Sequence, residues 1–141
     1  MTYYLGIGTN LGDRALNLST ALRYLDARVG QQIRCSSVYH SQPQGFVSAN
    51  EFENIVVSYQ TTLAPLQLLS VTQSIEKAMG RTSKSVNGEY HDRIIDIDLL
   101  LCYDDKGLPV RMTTHTLTLP HPHMRQRDFV MVPLQEIYTD L

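Results

Sequence analysis

The sequence predicts a single α+β domain over residues 1–141, with a ferredoxin-like β-α-β-β-α-β core and a C-terminal helical tail. Short runs with strand-like alternation are separated by longer runs whose apolar residues recur every three or four positions. The helical runs fall after the first and third strand-like runs, the order of that core. A composition of 43% hydrophobic and 18% charged residues over 141 residues also suits one globular domain, able to bury roughly two thirds of its unfolded surface.

Residues 3–8 form the first strand, closed by the turn-forming Thr9-Asn10-Leu11-Gly12-Asp13. Asp13 is placed to cap a helix starting near Arg14. Leu18, Leu22, Leu25 and Val29 give that helix one apolar face, and Gly30 is placed to end it. Residues 33–40 read as the second strand and 41–51, rich in Gln, Gly, Pro, Ser and Asn, as a loop. In the third strand, 52–61, Phe52, Asn54, Val56, Ser58 and Gln60 share one face while Ile55, Val57 and Tyr59 share the other. Leu63-Ala64-Pro65 opens a second helix, since proline is tolerated in a first turn. Leu68, Leu69, Thr72, Ile75, Glu76 and Met79 mark one of its sides, and Gly80 stands at its end. A polar loop of residues 82–92 follows; loops of that length inside a domain are usually functional or disordered. After the fourth strand, 93–101, come a short strand at 116–119, the turn Pro120-His121-Pro122-His123 and a broken helical stretch to Ile137.

The fourth strand is the most informative segment. In Arg93-Ile94-Ile95-Asp96-Ile97-Asp98-Leu99-Leu100-Leu101 the two carboxylates must share a face, because strand side chains alternate. Ile95, Ile97, Leu99 and Leu101 then share the other. Paired like charges resist burial and need compensation. Mg²⁺ is suited to this, being held by one or two carboxylates together with substrate phosphates. Arg93 could reach the same anion. The pattern therefore points to metal-assisted chemistry on a phosphorylated substrate, although an Asp-x-Asp pair can also be an exposed edge face.

Composition narrows the alternatives. The net charge of −2 argues against general nucleic-acid binding. Seven of the twelve basic residues, Arg81, Lys84, Arg93, Lys106, Arg111, Arg125 and Arg127, lie within one third of the chain; this suits a local anionic ligand, although Lys84, Lys106 and Arg111 taken singly read as solvated charge. Cys35 and Cys102 lack metal-ligand spacing and read as small buried hydrophobes. There is no signal-peptide pattern and no run near the ~20 apolar residues of a membrane span, so a cytoplasmic protein with no membrane partner is expected.

Other candidates each carry two readings. Asn10-Leu11-Gly12-Asp13-Arg14 lacks the spacing and lysine of a phosphate loop, and capping is the better account. Gln73 and Glu76 could hydrogen-bond a base or ribose, or simply be exposed helix residues. The five histidines show no zinc spacing; His121, between two prolines, would be a rigid donor to an anion or a turn residue.

Taken in order, the motifs resemble the 6-hydroxymethyl-7,8-dihydropterin pyrophosphokinase family from Tyr4 through Ile137. They are Gly8-Thr9-Asn10-Leu11-Gly12-Asp13-Arg14; Ser36-Ser37-Val38-Tyr39 with Pro43 and Gly45; Phe52-x-Asn54; Glu76-x-x-x-Gly80-Arg81; the Asp-x-Asp strand; Leu119-Pro120-His121-Pro122; and Arg127-x-Phe129. The resemblance implies transfer of the pyrophosphoryl group of ATP to the pterin hydroxymethyl group, releasing AMP, in folate biosynthesis. It implies that Asp96 and Asp98 hold two Mg²⁺ ions, with Arg93 as the third catalytic residue. ATP contacts would come from Gln73, Glu76, Arg81, Lys84, Arg93, Thr118, His121 and Arg127. Pterin contacts would come from Ser41, Gln42, Gln44, Phe52, Asn54, Tyr90 and Phe129, with Asn54 reading the heterocycle's edge and Phe129 stacking on it. A monomer is expected.

The chain departs from the family in its loops. Ser83-Lys84 and Glu89-Tyr90 stand where relatives often carry arginines and an aromatic lid residue, and Thr116 where some carry another arginine. The turn Ser41-Gln42-Pro43-Gln44 is more polar than usual. Two rivals follow: a homologue that binds without transferring, and an ordinary kinase that releases ADP.

Overall fold

The protein is described by a computed structural model covering residues 1–42, 51–80 and 94–138. Strand β1 (Thr2–Thr9) lies between β4 (Phe52–Gln60) and β5 (Asp96–Tyr103), antiparallel to both. Strands β2 (Gln31–Cys35) and β3 (Tyr39–Ser41) both pair with β4, so the sheet runs β2-β4-β1-β5 with β3 beside β4. Helices α1 (Arg14–Arg28) and α2 (Pro65–Ala78) lie on one face. There Leu18, Ala21, Leu25, Leu68 and Ile75 bury Leu5, Ile7, Ile55, Val57, Ile97 and Leu99. Helix α3 (Asp128–Ile137) covers part of the other face, where Val130, Leu134 and Ile137 pack with Val56, Leu100 and Leu101. A small ribbon of β6 (Met112–Thr113) and β7 (Thr118–Leu119) and a 3₁₀ turn at Met124–Gln126 connect β5 to α3.

The start signals operate as expected. Asp13 accepts from the Leu16 amide at 3.1 Å and caps α1. Pro65 opens α2, while Gln67 reaches back to accept from the Ala64 amide at 2.8 Å. Gly80 follows α2 at φ +101°, a conformation that glycine adopts readily. Gly30 is needed for another reason: a Cβ there would collide with the carbonyl oxygen of Gln60, so the chain turns from α1 into β2 only because this side chain is missing.

Several features differ from the sequence expectation: β5 starts at Asp96 and runs on to Tyr103, β7 starts only at Thr118, and Cys35, read as a buried hydrophobe, is exposed on β2. The second strand is split into β2 and β3. Ser36 donates its N–H to the Val56 carbonyl and accepts the Val56 N–H on its own Oγ, both at 2.9 Å. Ser37 turns away and donates through its amide and hydroxyl to Glu136 of α3 at 2.9 and 2.8 Å. Leu101 leaves the face of Ile95, Ile97 and Leu99, because the pairing of β1 with β5 shifts between Tyr4↔Leu101 and Leu5↔Leu99. Leu100 is the extra residue of that bulge, which rotates Leu101 toward α3 and Cys102 toward the helices. Strand β6 carried no alternation legible in sequence; it exists because Thr114 folds the chain back, its N–H donating to Leu117 O and its Oγ1 accepting from the Leu117 amide.

Candidate functional site

The register places the predicted residues in rows. Asn54, Gly8 and Asp96 lie side by side on β4, β1 and β5, and Val56, Gly6 and Asp98 form the next row. Residues directly opposite share a face, so Asp96 and Asp98 stand on the α3 side of the sheet, about 7 Å apart along the strand. Both are half-exposed, as are Gly6 and Gly8. Ile95 and Ile97, on the other face, are buried.

Gly8 leaves β1 without a side chain between the amide and Asp96, while the Leu100 side chain reaches over Gly6, 3.4 Å from where its Cβ would lie. At Gly8 a Cβ would lie 2.9 Å from Asn54 Oδ1 and 3.7 Å from the Phe52 ring. The wider residue types usual in a strand would therefore displace the Asn54 side chain. Sequence reasoning gave neither glycine a role. The available signal was the alternation Leu5-Gly6-Ile7-Gly8, because glycine inside a strand often marks close approach by another group.

Asn54 is 6% exposed, and its Nδ2 donates to the Tyr39 carbonyl at 3.2 Å and to Ser41 Oγ at 2.9 Å. Both amide hydrogens are thereby engaged, and Oδ1, on the Gly8 side, is the atom left to meet a ligand. Ser41 faces Phe52 across the β3–β4 pair, and Gln42 donates to Glu51 Oε1 at 2.8 Å, so Ser41, Gln42, Phe52 and Asn54 gather at one end of β4. Arg14 steadies that end from α1, with Nε 3.0 Å from Glu53 Oε2 and a 2.8 Å hydrogen bond to the Glu51 carbonyl.

On the β5 side, the His121 amide donates to the Leu100 carbonyl at 2.9 Å and carries the imidazole to the strand that holds Asp98. His121 Nδ1 accepts from the His123 amide at 3.2 Å, which leaves the proton of the neutral ring on Nε2 as a donor. Thr118 lies half-exposed in β7. Glu76 is 4% exposed on α2, and its Oε2 accepts from the Ile97 amide at 2.8 Å; Gln73 is exposed three residues earlier. Arg127 caps α3 with its guanidinium 5.6 Å from the centre of the Phe129 ring, an arrangement that stiffens both side chains. Gln44, Arg81, Lys84, Tyr90 and Arg93, and with them the 82–92 loop, lie outside the described residues.

The donor set suits Mg²⁺. Two carboxylates stand on one face, and the residue opposite Asp96 is the side-chain-free Gly8, which leaves room there for oxygen ligands from a phosphate chain. Among the described residues no group of three or more His, Cys, Asp and Glu gathers around a point. The described residues also include no helix long and apolar enough to cross a membrane.

Residues 4–139 match the family model described as 7,8-dihydro-6-hydroxymethylpterin-pyrophosphokinase (HPPK). The chain is 46% identical over 134 residues to the 2-amino-4-hydroxy-6-hydroxymethyldihydropteridine pyrophosphokinase of Porphyromonas gingivalis, covering 95% of this chain and 88% of that one. It is 37% identical over 134 residues to the folic acid synthesis protein FOL1 of Dictyostelium discoideum, covering 95% of this chain but 19% of that one. In structure it matches wild-type HPPK-DHPS of Plasmodium falciparum with a TM-score of 0.69 at 17% identity, covering 96% of this chain and 37% of that one; this is a likeness of fold.

Proposed function

The chain belongs to the 7,8-dihydro-6-hydroxymethylpterin-pyrophosphokinase family, and we propose that the glycine-floored end of its sheet is where that family's reaction takes place. The reaction transfers the pyrophosphoryl group of ATP to the hydroxymethyl group of the dihydropterin, giving AMP and the pterin diphosphate, in folate synthesis. The observation that carries this placement is the row Asn54–Gly8–Asp96. A flat heterocycle laid across the bare strand has the amide at one edge and the carboxylate pair at the other, roughly 10 Å away across two strand spacings.

In this reading Asn54 Oδ1 accepts an N–H from the pterin edge, while Tyr39 and Ser41 hold its amide in place. Phe52 and Phe129 provide the apolar walls, and Ser41, Gln42, Gln44 and Tyr90 the remaining pterin contacts. Asp96 and Asp98 would hold two Mg²⁺ ions together with the triphosphate. When bound, Mg²⁺ neutralises phosphate charge and lowers the proton affinity of the hydroxymethyl oxygen. Arg93, Arg127, Lys84 and the Nε2–H of His121 bind phosphate oxygens, and Gln73, Arg81 and Thr118 serve the nucleotide side. The hydroxymethyl oxygen bonds to the β-phosphorus and its proton passes to solvent, as the bond from the β-phosphorus to the bridging oxygen breaks and AMP leaves with that oxygen. In-line positioning and charge neutralisation therefore supply most of the acceleration. We read residues 1–141 as one ferredoxin-like domain acting as a cytoplasmic monomer.

Phosphorus NMR of the protein with ATP, Mg²⁺ and hydroxymethyl-dihydropterin tests the proposal. AMP and a pterin diphosphate are expected, with turnover abolished by EDTA. ADP would indicate an ordinary kinase, binding without turnover would indicate a homologue that no longer transfers, and full turnover in EDTA would remove Mg²⁺ from the account.

A further inference from the structure

We propose that Glu76 is a positioning residue for the carboxylate pair, fixing the edge strand that carries Asp96 and Asp98 so that both reach the metal-bearing triphosphate together. The inference rests on the metal role given above to those aspartates. It assigns Glu76 a different task from the nucleotide contact that the family resemblance implies.

Among the described residues β5 is an edge of the order β2-β4-β1-β5, paired with β1 on one side and on the other only through the isolated Tyr103–Pro109 bridge and single backbone hydrogen bonds. An edge strand presents unpaired amides and carbonyls and is the most easily frayed part of a sheet. Ile97, between the two aspartates, meets the carboxylate of Glu76 at 2.8 Å through its amide. Three residues on, the Leu100 carbonyl accepts the His121 amide at 2.9 Å. The stretch containing Asp98 is thus held at two points, by a side chain of α2 and by the backbone of the Pro120-His121-Pro122 turn.

Glu76 is 4% exposed, and a buried carboxylate is costly unless its hydrogen bonds are good. A strand amide donating to a carboxylate makes a charge-assisted bond, about twice as strong as a neutral one. The Ile97 side chain beneath it is buried against the helices, so the backbone between the aspartates is fixed from the helix face and from the edge. Removing the acceptor would take away the 2.8 Å tie at Ile97 and loosen the spacing of two carboxylates that must ligate as a unit. Groups that orient metal ligands in this way typically contribute about 10–100-fold in metal affinity.

The test uses Glu76→Ala and Glu76→Gln, with Asp96→Asn as a control. Mn²⁺ affinity is read by paramagnetic resonance in the presence of α,β-methylene-ATP, binding of the same analogue in EDTA by calorimetry, and exchange of the Ile97 amide by NMR. Glu76→Ala should weaken Mn²⁺ binding about tenfold or more and speed Ile97 exchange, with metal-free analogue affinity unchanged. Glu76→Gln, which keeps an acceptor, should recover most of both losses. Loss of metal-free analogue affinity with Mn²⁺ binding intact would make Glu76 a nucleotide contact and overturn the proposal. If Glu76→Ala does not fold, the Gln variant and the wild type still decide: rapid Ile97 exchange in either would overturn it. Mn²⁺ affinity unchanged in Asp96→Asn would instead refute the metal role of the aspartates, and Ile97 exchange would still report on the strand contact.

Discussion

At one end of the α3 side of the sheet, Val56, Leu100 and Leu101 pack against Val130, Leu134 and Ile137. At the other end β4, β1 and β5 present Asn54, Gly8 and Asp96. Strands β1, β4 and β5 run through both ends, interrupted only by the bulge at Leu100, so strand pairing by itself does not distinguish them. Side-chain volume and polarity do. Aliphatic side chains fill the covered end and draw a helix down onto it. At the other end Gly8 removes the filling, and an amide and two carboxylates leave polar groups that a helix could not satisfy. One end stabilises the fold, and the other, in the proposed reading, is the polar surface that receives the substrates.

Substitutions that act at one end alone test this division. Asp98→Ala should lower turnover the most, by about 10³-fold, because charge stabilisation on the triphosphate is lost. Pterin affinity by calorimetry should stay within about twofold on the same argument. Equal losses in both would sink the assignment. Leu134→Ala empties a fully buried site beneath α3 and should cost about 2–5 kcal/mol in urea unfolding. The kcat/KM of its folded fraction should be unchanged; a drop would mean that the covered end also shapes the site.

The sequence made part of this division legible. Alternation alone places Asp96 and Asp98 on one face, because a strand's period is local information. Asp13 and Pro65 announce their helices for the same reason. What remained hidden depends on pairing between distant segments. The bulge at Leu100 reverses the side taken by Leu101, and only the register with Tyr4 and Leu5 reveals it. Gly30 looked like a helix terminator, yet the need for glycine comes from Gln60, thirty residues away. Gly8 belonged to a recognised motif, but its position between Asn54 and Asp96 needs both neighbours of β1. The contact of Glu76 with Ile97 joins a helix to a strand across 21 residues and has no local signature.

Gly8→Ala tests the bare floor most directly. The added Cβ would fall 2.9 Å from Asn54 Oδ1 and push that amide from its Tyr39 and Ser41 contacts. Calorimetry should show pterin affinity reduced about tenfold, the magnitude expected when a hydrogen-bonding reader is misplaced, with α,β-methylene-ATP and Mg²⁺ binding within about twofold. Unchanged pterin affinity, or an equal loss of both ligands, would contradict the account.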